Sequence, residues 1–252
     1  MGYQLKRSVV SVRFGVFLFL QAAMYYYLNH GNLSRIFPNS NFYDHFLNSI
    51  ITNIPLLALF CAALVGLQTY DELDKNFQPL LFSRTSLRTW VTRKFTVNAL
   101  TCGIFILLAW LAILLLCFFG SFPPQLDFVN LEQHPYVSIV SSNPSVAIMQ
   151  MIGLDIVRVF LFGVLLSAVA TLGAVAFKAR YLALAFPAVA YILFDYYANS
   201  IAPGLSWYMN FNLITLAEMY VEPWFGFAYF ILSALIFFAL ANYFVLRRVR
   251  HE

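Results

Sequence analysis

Long apolar runs, broken by short stretches rich in polar, proline or charged residues, divide the chain from end to end. A hydrocarbon core of about 30 Å is crossed by roughly 20 apolar residues in a helix. On that length the runs fall at 12–30, 47–67, 95–119, 148–176, 181–201 and 224–246. They predict an all-α polytopic membrane protein: six transmembrane helices in one transmembrane domain covering 1–252. The fourth run is long enough to tilt or to project past the bilayer. The first follows Lys6 and Arg7, as the core of a signal peptide would, but it has no small-residue cleavage site and ends on Tyr25, Tyr26 and Tyr27. Tyrosines at that place suit an interfacial anchor, so the run reads as a retained span.

Composition strengthens this reading. Of the 252 residues 62% are hydrophobic and 10% charged, with a mean hydropathy of +0.76. Soluble domains carry about 25% charged residues, so this chain has too few polar groups to build a wetted surface. Its three cysteines, Cys61, Cys102 and Cys117, all sit in apolar runs without a CxxC spacing. That pattern predicts buried apolar packing, with neither a disulfide framework nor a zinc site.

Charge adds an orientation. Lys6 and Arg7 precede the first run and Arg13 stands at its start, Lys75, Arg84, Arg88, Arg93 and Lys94 follow the second, Lys178 and Arg180 follow the fourth, and Arg247, Arg248 and Arg250 follow the sixth. With six spans all of these lie on one side. The opposite segments hold Arg35 against Asp44, Asp127, Glu132, Glu218 and Glu222. The positive-inside rule then predicts a multi-pass protein of the cell membrane with both termini cytoplasmic. The net charge of +4 is accounted for by topology, with anionic membrane lipid as a secondary partner, and it does not imply nucleic acid.

The longest cytoplasmic segment is QTYDELDKNFQPLLFSRTSLRTWVTRK, residues 68–94. Pro79 separates an acidic first half from a second half with helical periodicity. There Leu81, Leu87, Trp90 and Val91 form an apolar row, and Arg84, Arg88 and Thr92 recur at i, i+4, i+8. Two readings stand side by side: an amphipathic helix in the lipid headgroup layer, or a docking helix that offers its apolar face to a soluble partner.

Glu72, then Leu80, Leu81, Ser83 and Ser86, then Lys94 opening the next span, resemble the cytoplasmic loop of ABC-2 type transporter permeases. Arg84 stands where that family often has proline. The resemblance extends over the chain in topology and over residues 72–95 in motif. It implies a coupling helix, with Glu72, Leu81, Arg84, Leu87, Arg88, Trp90 and Lys94 as the partner-binding residues, seated on an ABC ATP-binding subunit. It also implies a second permease copy or paralogue, and re-entrant structure in the outer segment between spans five and six. No cofactor is then expected in this chain, ATP and Mg belonging to the partner. In keeping with that, no glycine opens a G-x-x-x-x-G-K-[ST] phosphate loop.

Ionisable groups at bilayer depth cost at least about 2.5 kcal/mol and need partners or water. Asp155 and Arg158, at i, i+3, form either a self-neutralising pair or a polar gate on a translocation path. Asp195, among tyrosines, either reaches the interface or lines a cavity between subunits. Small-residue rows at Gly163, Ser167, Thr171 and at Ala58, Ala62, Gly66 let helices approach closely, within one subunit or between two. An intramembrane enzyme is disfavoured, since no His falls in the middle of a span and no HExxH occurs. The remaining alternatives are a permease moving an apolar or amphipathic substrate, and an ATP-independent carrier or importer binding subunit.

Overall fold

The computed structural model describes residues 9, 11–29, 54–73, 86–120, 144–201 and 223–251. Among them the chain is all-helical, without strands. The helices are α1 (Val12–Asn29), α2 (Ile54–Glu72), α3 (Leu87–Gly120), α4 (Pro144–Ala176), α5 (Arg180–Ile201) and α6 (Pro223–His251). Four apolar stretches within them are long enough to cross a bilayer: Ile54–Glu72, Leu87–Leu116, Gly153–Ala176 and Phe227–Arg248. Val12–Met24 and Arg180–Leu193 are shorter apolar stretches. The chain is thus a helical membrane protein. The segment 202–222, expected to be re-entrant, and Leu81 and Arg84, expected to bind a partner, lie outside the described residues.

Several boundaries differ from the sequence expectation: α2 runs to Glu72 rather than 67, α4 starts at Pro144 rather than 148, and the start of α3 differs most. The third span was expected to start at 95, after a separate amphipathic helix, but α3 runs unbroken from Leu87. The cause is local. Ser86 caps the helix: the Thr89 amide donates to Ser86 Oγ at 3.3 Å, and the two hydroxyls lie 2.7 Å apart. At about 1.5 Å per residue, the 34 residues of α3 span about 50 Å, well beyond a hydrocarbon core of about 30 Å.

α4 is the most enclosed of the four long helices and packs against α3, α5 and α6. Glycine makes the α3–α4 approach possible. A Cβ on Gly163 would lie 2.6 Å from the Cys102 carbonyl oxygen and 2.8 Å from the Gly103 Cα. Gly163, Ser167 and Thr171 are all buried, as are Ala58, Ala62 and Gly66 on α2. Both small-residue rows therefore pack inside the chain rather than on its outer surface. The apolar core fills the space between them. Phe14 meets Phe105 edge-on at 5.4 Å, Phe17 stacks on Phe60 at 4.8 Å, and Phe162 packs on Phe230 at 5.9 Å. Cys61 and Cys102 are free and buried in this core.

α2 carries a π-helical turn at Ala62–Gly66. Such a turn inserts extra backbone and leaves a carbonyl without its helical donor. Side chains meet carbonyls at and beside the turn: Cys102 Sγ lies 4.0 Å from the Cys61 carbonyl oxygen, and the Thr69 hydroxyl donates to the Val65 carbonyl at 2.7 Å.

Candidate functional site: the last turn of α2

Below the π-turn, every residue from Thr69 to Leu73 contacts another part of the bundle. Thr69 is reached from α3: Asn98 Nδ2 donates to Thr69 Oγ1 and to Thr171 Oγ1, each at 3.0 Å. That triad ties α2, α3 and α4 and is buried throughout. The Tyr70 hydroxyl donates to the Lys178 carbonyl after α4, and the Arg248 guanidinium lies 5.7 Å above the Tyr70 ring. Asp71 pairs with Arg180 at the start of α5, at 3.1 Å. Leu73 is fully buried with Trp90, Val91, Phe95, Leu172, Val175, Ala241 and Val245.

Glu72 is the most heavily used of these residues. Its Oε1 accepts from Lys94 Nζ at 2.6 Å, and its Oε2 accepts from Trp90 Nε1 at 3.2 Å. Lys94 is 8% exposed and Glu72 26%. A cation this enclosed needs its counter-charge. The Asp71–Arg180 pair, about half exposed on both sides, contributes little by comparison.

The partner-binding residues expected from the sequence therefore divide. Glu72, Trp90 and Lys94 hold one another inside the chain, and half-buried Leu87 packs on the Leu73 cluster. The outward face of the first turns of α3 is instead hydroxylic and basic: Ser86, Arg88, Thr89, Thr92 and Arg93 are exposed. Thr92 satisfies its own hydroxyl on the Arg88 carbonyl at 3.1 Å. Of the apolar row seen in the sequence, Leu87, Trp90 and Val91 are covered from within the chain.

The residues expected on a translocation path lie elsewhere. Asp155 and Arg158 are each 2% exposed and pair at 3.4 Å. Arg158 also lies over the Phe227 ring of α6 at 5.7 Å. The structure thus holds them as a closed pair between α4 and α6. Asp195 falls in α5, with its side chain outside the described part. Among the described residues no group of three or more His, Cys, Asp or Glu side chains converges as a metal site would require.

Sequence reasoning missed Asn98, Tyr70, Asp71 and Arg180. For Asn98 a signal existed: an amide inside a long apolar run, one helical turn beyond Lys94, requires a partner on a neighbouring helix. The α2 contacts to the α4–α5 corner are non-local, and no spacing announces them.

No protein-family model, curated protein or solved structure matches the chain.

Proposed function

We propose that the chain is the transmembrane permease subunit of an ATP-driven ABC-2 type exporter. It moves an apolar or amphipathic substrate, a peptide or a lipid, by alternating access at the interface of two permease copies or paralogues. Both termini and the segment 74–86 face the cytoplasm, where a separate ATP-binding subunit docks.

One observation carries this reading. The segment 74–86 leaves from Leu73 and re-enters at Leu87, and its two ends are stapled together by Glu72 with Lys94 and Trp90. A force applied to the segment by a closing partner is thereby delivered to α2 and α3 at once. Through Asn98 and Thr171 it reaches α4 within one hydrogen bond. A loop used only for connection needs no such attachment. Two of the residues matching the family motif, Glu72 and Lys94, form the staple together with Trp90. With Leu87 and Trp90 turned inward, docking falls to Leu81 and Arg84 within the segment and to exposed Arg88 beside it.

The test is energetic. Affinity-purified from its own membranes, the chain is expected to bring ATP hydrolysis with it through a second polypeptide, and to show none when purified as the single polypeptide. Hydrolysis by the chain alone, or no ATPase in company with it under any mild extraction, contradicts the proposal. The second outcome would favour the ATP-independent carrier.

A further inference from the structure

The α4–α5 corner and the end of α6 meet over the last turn of α2. Tyr70 is the link, with its hydroxyl on the Lys178 carbonyl and its ring beneath Arg248. This brings the Lys178 backbone and the Arg248 guanidinium to Tyr70, with Arg180 on the neighbouring Asp71 and Arg247 beside Arg248 in the chain. The carboxylates described at that end are committed: Asp71 to Arg180, and Glu72 to Lys94 and Trp90. Lys178 and Arg247 are exposed and meet no carboxylate among the described residues. Among the described residues the corner is therefore positive in excess, and Tyr70 and Asp71 tie its parts to the end of α2.

What lies next to it identifies the chemistry. Tyr181 is 85% exposed and Leu182 55%, directly after Arg180. Tyr243, one turn before Arg247, is 58% exposed. From these residues exposed apolar side chains continue along both helices, Val189, Ile192 and Leu193 on α5 and Leu240, Ile236 and Leu235 on α6. An acidic soluble partner would meet the charges but has no use for apolar stripes running away from them into the bilayer. A phospholipid has both parts, a phosphate for the cations and acyl chains for the stripes. Tyrosine belongs at the boundary between the two.

We propose that this corner is a binding site for the headgroup of an anionic phospholipid, its acyl chains lying along the exposed faces of α5 and α6. Phosphate oxygens take the Lys178 ammonium and the Arg247 guanidinium, while Tyr181 and Tyr243 sit at the glycerol level. Basic clusters between membrane helices bind such headgroups, each Lys or Arg near the surface contributing about 1 kcal/mol. The site adjoins Tyr70 and Asp71, so its occupant bears on the same turn of α2 that staples the segment 74–86. The inference is independent of what the protein transports.

The test uses the full chain in nanodiscs of phosphatidylcholine with phosphatidylglycerol, extracted into neutral detergent and weighed intact to count retained lipids. Wild type is expected to retain phosphatidylglycerol in preference to phosphatidylcholine. Lys178→Gln with Arg247→Gln lowers that preference about tenfold or more, as two lost surface cations imply, whereas Arg88→Gln on the outer face of α3 keeps it. High salt applied to the wild type produces the same loss without any substitution, since exposed charges are screened. The proposal is overturned if wild type shows no preference or keeps it in high salt. It is equally overturned if the double variant, folded by its melting profile, keeps the preference, or if Arg88→Gln abolishes it as fully, which would make the attraction a diffuse one.

Discussion

Gly163→Leu is expected to yield little or no folded protein, while Gly153→Leu on the same helix leaves yield and melting temperature close to wild type. The two glycines differ in what a side chain would meet. At Gly153 a Cβ has nothing within 4 Å. At Gly163 it would fall 2.6 Å from the Cys102 carbonyl oxygen and 2.8 Å from the Gly103 Cα, both of them backbone atoms of α3. Backbone cannot rotate aside as a flexible side chain does, so the two helices must separate along the contact that the core depends on. Overpacking costs of about 1–3 kcal/mol are usual where side chains can adjust, and a clash with backbone belongs at or above the top of that range. Size-exclusion profiles and thermal melting in detergent read both variants. Gly163→Leu behaving like Gly153→Leu would show that α3 and α4 do not touch here.

The second large effect is expected at Glu72. Glu72→Gln keeps the shape and an acceptor for Trp90 Nε1, but it leaves buried Lys94 without its counter-charge. Breaking a buried pair from one side costs about 3–5 kcal/mol, and the partial exposure of Glu72 lowers that to about 2–3 kcal/mol here. Adding Lys94→Met removes the stranded charge and is expected to restore most of the lost melting temperature, because the penalty lies in the unpaired cation rather than in the missing bond. Melting curves of the wild type, both single variants and the double variant separate the two terms. A double variant that melts no higher than Glu72→Gln would contradict the staple.

These effects show which parts of the molecule the sequence makes legible. Apolar run length locates the helices, because crossing a bilayer fixes a minimum number of apolar residues whatever they pack against. The Asp155–Arg158 pair is readable for a related reason, since i, i+3 spacing places the two side chains on one face. The row Leu87, Trp90, Val91 is readable as a helical face, yet periodicity does not say what covers that face. Here the cover is Leu73 just past α2, Leu172 from α4, and Ala241 and Val245 from α6. The same limit explains why Leu87 and Trp90 present themselves in the sequence as anchors for a partner while they serve the chain's own core. Tyr70 and Asp71 meet Lys178 and Arg180 more than a hundred residues away, and only the folded bundle brings them together.

The central claim is that a nucleotide-hydrolysing subunit docks on the segment between α2 and α3. Its most direct measurement is a site-specific crosslink in native membranes. A photoreactive residue in place of Ser83 is expected to capture a polypeptide that binds and hydrolyses ATP, and the same residue in place of Asn130 to capture none. Leu81→Asp, placing a charge in the proposed apolar docking contact, is expected to abolish the adduct at position 83 without lowering the melting temperature. An adduct at 83 made only of lipid, or an ATPase adduct that Leu81→Asp leaves undiminished, would contradict the account.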